Sequence, residues 1–449
     1  MSDLIAKSRL TAIVGLGLTG VSVARHLAAR QEAFVMLDTR EAPGALADFT
    51  QEFPDAHVEL GPLNAETLLN VDEIIVSPGV PIAEAAIQQA IKAGISVIGD
   101  ISLFLRNITA PVIAITGSNA KSTVTSLVGD MAERAGLNVG VGGNIGKPVL
   151  EWLNEPAKDL YVLELSSFQL ETINKLNAKV ATILNVSEDH MDRYDSYAAY
   201  HMAKQRIYFG AETVVTNRGD ALTAPPLAAG VTQLTFGLSK PDRYGFGLIT
   251  KGGVEHLAYE FKTLMPVSEI RLPGRHNVEN ALSALALGYA AGLPMDAMLE
   301  SLRQFAGLEH RCQWVAEHQG VEFYNDSKGT NVGATLAALE GLREADSKIV
   351  LIAGGVGKGA DFSPLHDALQ QTRGLVLIGE DGEKIAEVAG DAVKKVFAES
   401  MTDAVNKAIT LAESGDKILL SPACASFDMF GNYELRGQAF VDAVKEVVA

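Results

Sequence analysis

Residues 116–123 form a loop whose side chains and backbone could hold the phosphates of a nucleotide. The loop follows the apolar run Val112–Ile115 and precedes a predicted helix. Backbone N–H groups at a helix start bind phosphate oxygens, a lysine adds charge, and a serine or threonine hydroxyl reaches Mg²⁺. This pattern predicts an ATP site. The residues expected to take part are Ser118, Asn119, Ala120, Lys121, Ser122 and Thr123.

Ala120 departs from the usual phosphate-loop pattern, in which glycine directly precedes the lysine. Alanine can work there if its φ stays negative, or if the loop tolerates a left-handed alanine at a modest energetic cost. The competing interpretation is an ordinary strand–turn–helix corner with a surface lysine. We favour the phosphate loop because Lys-Ser-Thr after such a turn is uncommon by chance.

A second glycine-rich turn, residues 15–20, follows the predicted strand Thr11–Val14 with the spacing G-x-G-x-x-G. The triplet Asp-Thr-Arg at 38–40 follows the next strand, where a dinucleotide-binding fold would contact a ribose. A nicotinamide-dependent dehydrogenase is therefore one alternative, although a redox enzyme does not need the second nucleotide loop. A UDP-linked ligand offers the same diphosphate to this turn. The glycines could also serve packing alone.

Two polar groups come directly after predicted strands that follow the phosphate loop. Glu164 follows Leu160–Leu163, and His190 lies in an acidic turn after Val180–Leu184. Open α/β sheets bind ligands at the carboxyl ends of their strands, so Glu164 is expected to serve Mg²⁺ directly or through water. A lone histidine is usually packed or solvent-exposed. The position of His190 after a parallel strand favours a metal role instead.

The alternation of short apolar runs with helical patterns predicts parallel βαβ units along most of the chain. The pattern restarts near residues 99–111 and again near Gly307. We therefore expect an α/β protein with three domains. These are a Rossmann-like N-terminal domain (1–100), a central phosphate-loop ATPase domain with a small antiparallel β insert near 233–271 (101–307), and a Rossmann-like C-terminal domain (308–449).

A helix predicted over Arg275–Leu293 carries two amides near its start. Asn277 and Asn280 are three residues apart, so both lie on one helical face. They could contact a purine or a ribose, or Asn277 could instead cap the helix.

Composition excludes several classes of function. The 449 residues carry a formal net charge of −18, which argues against nucleic acid because that partner needs a basic face. The most apolar helical stretch, near 281–293, is broken by glycines and is too short to span a bilayer, so no membrane partner is expected. Two distant cysteines, Cys312 and Cys424, exclude a disulfide framework and fit a reduced, cytoplasmic compartment.

Taken in their order, these segments resemble the Mur ligase family over essentially the whole chain. The segments that carry the resemblance are 15–20, 38–40, 77–79, 116–123, 143–146, 164–171, 188–194, 310–311, 325–331 and 421–426. The resemblance implies three domains and an ATP-dependent carbon–nitrogen ligase. It is most specific to members that add D-glutamate to UDP-N-acetylmuramoyl-L-alanine through an acyl phosphate, a cytoplasmic step of peptidoglycan synthesis.

The resemblance also implies roles for individual residues. The UDP-linked acceptor would contact Leu18, Thr19, Asp38, Thr39, Arg40, Ser77, Gly79, Asn144 and Arg311. The ATP site would include Asn277, Asn280, His310, Arg311, Asp326 and Lys328. Two Mg²⁺ ions would be held by Ser122, Glu164, His190 and Lys204, the last as a carbamylated lysine. D-glutamate would contact Thr330, Lys358, Ser426 and Tyr433. The catalytic set would be Lys121, His190, Lys204 and Lys358.

Several alternatives stay open at this level. By its position alone, Lys204 would be a solvated helix lysine. Val356 stands where the family pattern has aspartate, which removes a carboxylate that could orient Lys358. Other Mur ligases are the nearest rivals, and a folylpolyglutamate ligase shares the ATPase design but lacks the first UDP-type turn. A UDP-sugar sensor without turnover is a further possibility.

Overall fold

The computed structural model describes residues 9–225, 230–272, 274–343 and 347–448. Within them the protein is an α/β fold built on three mainly parallel sheets and one small antiparallel sheet. This agrees with the predicted fold class. The predicted domain limits at 100 and 307 stay a prediction. Among the described residues, no helix combines the length and apolar character needed to cross a bilayer.

The first sheet has five parallel strands. The strands are β1 (Leu10–Val14), β2 (Ala33–Asp38), β3 (His57–Leu60), β4 (Glu73–Val76) and β5 (Ser96–Ile98). The helices of this part are α1 (Leu18–Ala29), α2 (Leu46–Glu52), α3 (Ala65–Leu69), α4 (Ala85–Lys92) and α5 (Asp100–Leu105). The strand order β3-β2-β1-β4-β5 places the turn after β1 beside the loop after β4.

The second sheet has six parallel strands in the order β11-β10-β9-β6-β8-β7. The strands are β6 (Val112–Thr116), β7 (Val139–Gly143), β8 (Leu160–Glu164), β9 (Val180–Ile183), β10 (Thr213–Asn217) and β11 (Thr232–Phe236). The helices are α6 (Lys121–Arg134), α7 (Ser167–Glu171), α8 (Tyr197–Gln205), α9 (Arg275–Ala291) and α10 (Met295–Gln304).

The antiparallel insert is shorter than predicted. It consists of β12 (Phe246–Lys251), β13 (Val254–Tyr259) and β14 (Lys262–Pro266). Residues 232–236 instead extend the parallel sheet beside β10. The physical reason is that Leu234 and Phe236, two residues apart on one face of β11, are buried in the central core, which fixes this strand in the parallel sheet.

The third sheet has the order β15-β16-β20-β17-β18-β19. Its strands are β15 (Gln313–His318), β16 (Val321–Asn325), β17 (Ile349–Gly354), β18 (Gly374–Ile378), β19 (Lys395–Phe397) and β20 (Lys417–Leu420). Its helices are α11 (Val332–Gly341), α12 (His366–Leu369), α13 (Gly382–Ala389), α14 (Met401–Leu411) and α15 (Tyr433–Val448). The edge strand β15 is antiparallel to β16, a pairing that the sequence pattern did not predict.

One hydrophobic core runs from the first sheet into the second. Phe104, on α5, packs edge-on against Tyr161 of β8 with 5.0 Å between the ring centroids, and against Trp152 at 5.8 Å. The third sheet has two hydrophobic clusters of its own, whose members all lie between residues 312 and 447. The first two sheets are therefore packed together, whereas the third keeps a separate core.

Candidate functional site

A cleft of about 640 Å³ lies between the second and third sheets. Its walls come from segments that follow strands of both sheets, which is where open α/β sheets bind ligands. Because β6 lies between β8 and β9, the phosphate loop after β6 is flanked by Glu164 and by the turn that contains His190. The strand order therefore brings together three segments that are far apart in sequence.

The phosphate loop places Ala120 in the left-handed region, with φ of 65°, directly before helix α6. Of the two conformations considered from the sequence, the loop therefore adopts the left-handed alanine. Lys121 is the first residue of α6, and its Nζ donates to the carbonyls of Gly117 and Ser118 at 2.9 Å each. Burial lowers the pKa of Lys121, while the carboxylates of Glu164 and Asp189 act to raise it.

Glu164 is the last residue of β8 and is buried. Its Oε1 accepts a hydrogen bond of 2.8 Å from Asn144 Nδ2. Its Oε2 is also buried and accepts no hydrogen bond from the residues that the structure describes. An unpaired buried carboxylate oxygen is costly, and a cation would satisfy it. This observation fits a Mg²⁺ ligand.

Lys204, on α8, is almost completely buried, with 2% of its surface exposed. Its Nζ donates to Gly117 O at 2.8 Å and lies 4.6 Å from the centre of the Tyr200 ring. Burial, helped by the positive charge of Lys121, lowers the pKa of Lys204 well below its ordinary value. Lys204 is therefore not the solvated helix lysine that its position in the sequence suggests. Its burial favours the neutral, nucleophilic form of the amine.

His190 lies in the turn between β9 and α8 with φ of 58°. Its ring packs edge-on against Phe168 at 4.8 Å, and its Nε2 lies 3.7 Å from Asp189 Oδ2. Burial lowers the pKa of His190, although Asp189 acts to raise it. A neutral imidazole is the form that binds a metal ion.

The protein supplies few metal ligands at this site. Within the described ranges, no group of three or more His, Cys, Asp or Glu side chains could hold a metal ion. Mg²⁺ usually takes one or two carboxylates and completes its shell with water and substrate phosphates. The predicted ligand Ser122 has its Oγ engaged by Arg311 Nη2 at 2.6 Å, across the two sheets.

The third sheet contributes Asp326 and Lys328 to the opposite wall. Asp326 accepts hydrogen bonds from the Cys312 N–H at 3.1 Å and the Ser421 hydroxyl at 2.7 Å, and burial raises its pKa to about 6. The Lys328 ammonium lies 3.7 Å from the centre of the Tyr433 ring. Burial, with the nearby positive charges of Arg311 and Lys121, lowers the pKa of Lys328 to about 8.

Most residues predicted for ATP and D-glutamate lie along this cleft. They include Asn277, Asn280, Thr330, Lys358, Ser426 and Tyr433, besides the phosphate loop and the residues described above. Asn144, which was predicted for the UDP-linked acceptor, lines the same cleft. Asn280 Nδ2 donates to Asn277 Oδ1 at 3.0 Å, so the two amides share one helical face as expected. Asn277 does not cap α9, because the N-cap residue is Gly274.

His310 is the predicted ATP residue that does not line the cleft. It is buried, with its Nδ1 2.9 Å from Asn325 Nδ2. A Cβ added to Gly437 would lie 2.3 Å from that same nitrogen, which shows how closely α15 approaches the ring. The described contacts of His310 therefore connect β16 with α15.

The residues predicted to hold the UDP group lie on the first sheet, outside the cleft between the second and third sheets. They are Leu18, Thr19, Asp38, Thr39, Arg40, Ser77 and Gly79. Asp38 accepts from the Leu16 N–H at 2.6 Å and from Arg40 Nε at 2.8 Å. Burial acts to raise the pKa of Asp38, but the hydrogen bonds from Arg40 and Leu16 outweigh it and hold the pKa below its ordinary value.

Asn331 is a site residue whose role the sequence did not indicate. Its Oδ1 accepts from the Ala334 N–H at 2.9 Å, as an N-cap of α11. Its Nδ2 donates to Asn119 Oδ1 at 3.1 Å and to Asp189 Oδ2 at 3.4 Å, on the second sheet. An asparagine before an apolar helix signals a cap, but no local pattern signals the contacts across the cleft.

Comparison with protein families gives three matches along the chain. Residues 9–99 match the description "Mur ligase MurD-like, N-terminal domain". Residues 115–288 match "Mur ligase middle domain", and residues 310–424 match "Mur ligase, glutamate ligase domain".

Curated relatives match over nearly the whole length. A UDP-N-acetylmuramoylalanine--D-glutamate ligase of Pseudomonas savastanoi pv. phaseolicola is 56% identical over 445 residues, covering 99% of both chains. The protein of the same name from Hahella chejuensis is 49% identical, also covering 99% of both.

Solved structures share the fold at low sequence identity. The MurF ligase of Thermotoga maritima in complex with ADP gives a TM-score of 0.61 at 17% identity, covering 100% of this chain and 99% of that one. The UDP-N-acetylmuramate-alanine ligase MurC of the same organism gives 0.60 at 20% identity, covering 98% and 99%.

Proposed function

The chain belongs to the Mur ligase family, and on that basis we propose that it uses ATP to join D-glutamate to UDP-N-acetylmuramoyl-L-alanine. One structural observation supports this most directly. The phosphate loop with Lys121 and the wall with Lys358 and Ser426 line the same cleft. A carboxylate phosphorylated at the loop would therefore lie within reach of an amino acid held by the opposite wall.

The first step is phosphorylation of the acceptor. A carboxylate oxygen of the alanyl group attacks the γ-phosphorus of ATP, and the bond to the β–γ bridging oxygen breaks. The products are an acyl phosphate and ADP. Lys121 and the loop N–H groups stabilise negative charge on the transferring phosphoryl group, a typical task of such loops. Asn277, Asn280, Asp326 and Lys328 hold the rest of the nucleotide.

The second step is attack by the amine of D-glutamate on the acyl carbon. The C–N bond forms, the C–O bond to phosphate breaks, and the departing phosphate takes up the proton that the amine loses. Lys358 and Ser426 hold the carboxylates of D-glutamate, with Thr330 and Tyr433 beside them, because anions need donors. The walls come from two sheets with separate cores, so their approach would exclude water from the acyl phosphate.

Two Mg²⁺ ions belong to this proposal. Glu164, Ser122, His190 and carbamylated Lys204 would hold them, and the unpaired Oε2 of Glu164 supports that set. Bound Mg²⁺ supplies charge stabilisation to the phosphoryl group. Ser122 would exchange its bond with Arg311 for the metal. The lowered pKa of Lys204, caused by burial, favours the neutral amine that reacts with CO₂.

The UDP group of the acceptor would bind on the first sheet. The glycine-rich turn leads into α1, so backbone N–H groups can receive the diphosphate. Leu18 and Thr19 are on that helix start, while Asp38 and Arg40 form an ion pair of 2.7 Å at the end of β2. From there the acceptor would extend past Ser77 and Gly79 toward Asn144.

The test is phosphate release from ATP with UDP-N-acetylmuramoyl-L-alanine and a panel of amino acids. We expect release with D-glutamate and formation of the amide product. Release with a different amino acid would reject the specificity, and a nicotinamide absorbance change without ATP use would revive the dehydrogenase. Release without an amide product would contradict the ligase.

Lys121→Ala supplies the matching variant for this assay. We expect turnover to fall by about 10²- to 10³-fold, because the variant removes a charge placed at the transferring phosphoryl group. Lys92→Ala, at an exposed position near the end of α4, is the control and should retain normal turnover. Near-normal turnover of the Lys121 variant would overturn the placement of ATP at this loop.

A further inference from the structure

Arg193 connects the first sheet with the turn that contains His190. Its side chain is mostly buried, with 15% exposed. Nη1 donates to the carbonyl of Pro78 and Nη2 to the carbonyl of Val80, each at 3.3 Å. Both carbonyls lie in the loop that follows β4. One guanidinium therefore spans the junction between the first two sheets.

The same guanidinium contacts the second sheet's own elements. Nη2 also lies 3.3 Å from Glu171 Oε2 at the end of α7. The Cζ atom lies 4.3 Å from the centre of the Phe168 ring, which in turn packs edge-on against His190 at 4.8 Å. In addition, the Arg193 N–H donates to the His190 carbonyl at 2.9 Å. Arg193 thus supports His190 through both a ring contact and the backbone.

The loop after β4 is itself held tightly against the glycine-rich turn. Ser77 Oγ donates to the Gly15 carbonyl at 2.9 Å, and the Ser77 N–H donates to Val14 O at 2.8 Å. A Cβ added to Gly15 would lie only 2.8 Å from the Ser77 Cβ, so there is little room between the two segments. A change at this turn would therefore be transmitted to the loop that Arg193 contacts.

We propose that Arg193 is a positioning residue that couples the UDP-binding end of the first sheet to the orientation of Phe168 and His190 beside the phosphate loop. The inference rests on the proposed function. A planar guanidinium is suited to this task, because it can donate to two carbonyls while its face stays on an aromatic ring. A lysine in the same place offers a point charge and cannot reproduce that geometry.

The first experiment compares steady-state kinetics of the full-length wild type, Arg193→Met and Arg193→Lys. We expect Arg193→Met to lower kcat/KM for UDP-N-acetylmuramoyl-L-alanine by about 10- to 100-fold, with a raised KM for the acceptor and a reduced kcat, since small misplacements of reacting groups have effects of this size. The KM for ATP of Arg193→Met should stay within about twofold of the wild-type value, a difference no larger than distant, independent sites usually show. Arg193→Lys should recover only part of the loss.

Arg206 offers a matched control. Its Nε donates to Leu170 O at 2.8 Å and its Nη2 to Ile173 O at 2.7 Å, so it supports the end of α7. None of its described hydrogen bonds reaches the loop after β4. Arg206→Met should therefore lower the melting temperature without the selective rise in acceptor KM. Equal kinetic effects of the two variants would overturn the inference.

A double-mutant cycle with Ser77→Ala tests the route of the coupling. If Arg193 acts through the loop after β4, the two residues share one contact path. The fold increase in acceptor KM of the double variant should then be smaller than the product of the fold increases of the two single variants. Strict additivity would reject the coupling. An inactive wild type in the same assay would instead reject the proposed function, so the two failures are distinguishable.

Discussion

At the residue scale, the candidate site concentrates backbone conformations that side chains rarely adopt. Ala120, His190, Cys312 and Lys358 line the cleft and have φ between 43° and 65°. Such residues cost of order 1–3 kcal/mol each and persist where the surrounding structure holds them. Four such residues in the walls of one cleft indicate that the surrounding packing holds the backbone of the site in a strained geometry.

Lys328 gives a prediction about pH. Its pKa of about 8 in the free protein means that the ammonium is charged at pH 7 and loses its proton as pH rises above 8. If it contacts ATP, kcat/KM for ATP should fall above about pH 8, by up to tenfold per pH unit. Lys328→Arg keeps its charge throughout this range, so its kcat/KM for ATP should not fall above about pH 8. The same fall in kcat/KM in the arginine variant would contradict the role of Lys328 at the ATP site.

At the scale of elements, the order of strands decides which loops meet. The phosphate loop, Glu164 and the His190 turn are neighbours because β6 pairs with both β8 and β9. On the other side of the cleft, the N-cap of α11 is Asn331, whose amide donates to Asn119 of the phosphate loop and to Asp189. The start of one helix therefore contacts both walls of the cleft.

Asn331 gives a prediction at this scale. Asn331→Asp keeps an oxygen that can accept from the Ala334 N–H but loses the donor to Asn119 and brings a second carboxylate toward Asp189. We expect kcat/KM for ATP to fall by about tenfold or more, the usual consequence of losing such a donor, with a melting temperature close to wild type. Asn331→Ala, the comparison variant, also loses the cap and should cost about 1 kcal/mol in stability. Full activity of Asn331→Asp would contradict the role of this contact.

At the scale of the whole molecule, the three sheets differ in whether they share hydrophobic core among the described residues. The first and second sheets share one cluster, while the clusters of the third sheet are separate. The third sheet meets the second through polar contacts, such as Arg311 to Ser122, and through the packing of α11 against α9. Motion that opens the cleft is therefore expected to move the third sheet against the other two.

Phe104 tests that division. Phe104→Ala removes a fully buried ring from the shared core and should destabilise the first two sheets by about 3–5 kcal/mol. In denaturation followed by hydrogen exchange, amides of the third sheet should keep their protection while those of the first two sheets lose it. Phe261→Ala, at a position 86% exposed, is the control and should change stability by less than about 0.5 kcal/mol. Equal loss of protection everywhere would mean a single cooperative core.

Local chemistry made much of this protein predictable from its sequence. A phosphate loop needs only a strand, a turn and a helix start in succession, so Lys121 and Ser122 could be placed before any packing was known. Glu164 and His190 stand out in the sequence because Glu164 comes at the end of one apolar run and His190 lies in the acidic turn that follows another. The antiparallel edge strand β15 is not predicted, although the two-residue turn Gln319-Gly320, with positive φ at both residues, joins it directly to β16. The β insert is shorter than predicted because residues 232–236 are buried against the central core.

Only the tertiary structure decided what happens across sheets. Lys204 looks like a solvated helix lysine in sequence, and its burial against Tyr200 and the Gly117 carbonyl comes from the packing of α8. Arg311, the next residue in the sequence, lines the cleft, whereas His310 itself is enclosed by α15. The cross-sheet contacts of Arg193 and Asn331 join residues more than a hundred positions apart. Sequence spacing records local geometry, whereas such contacts depend on how whole sheets pack.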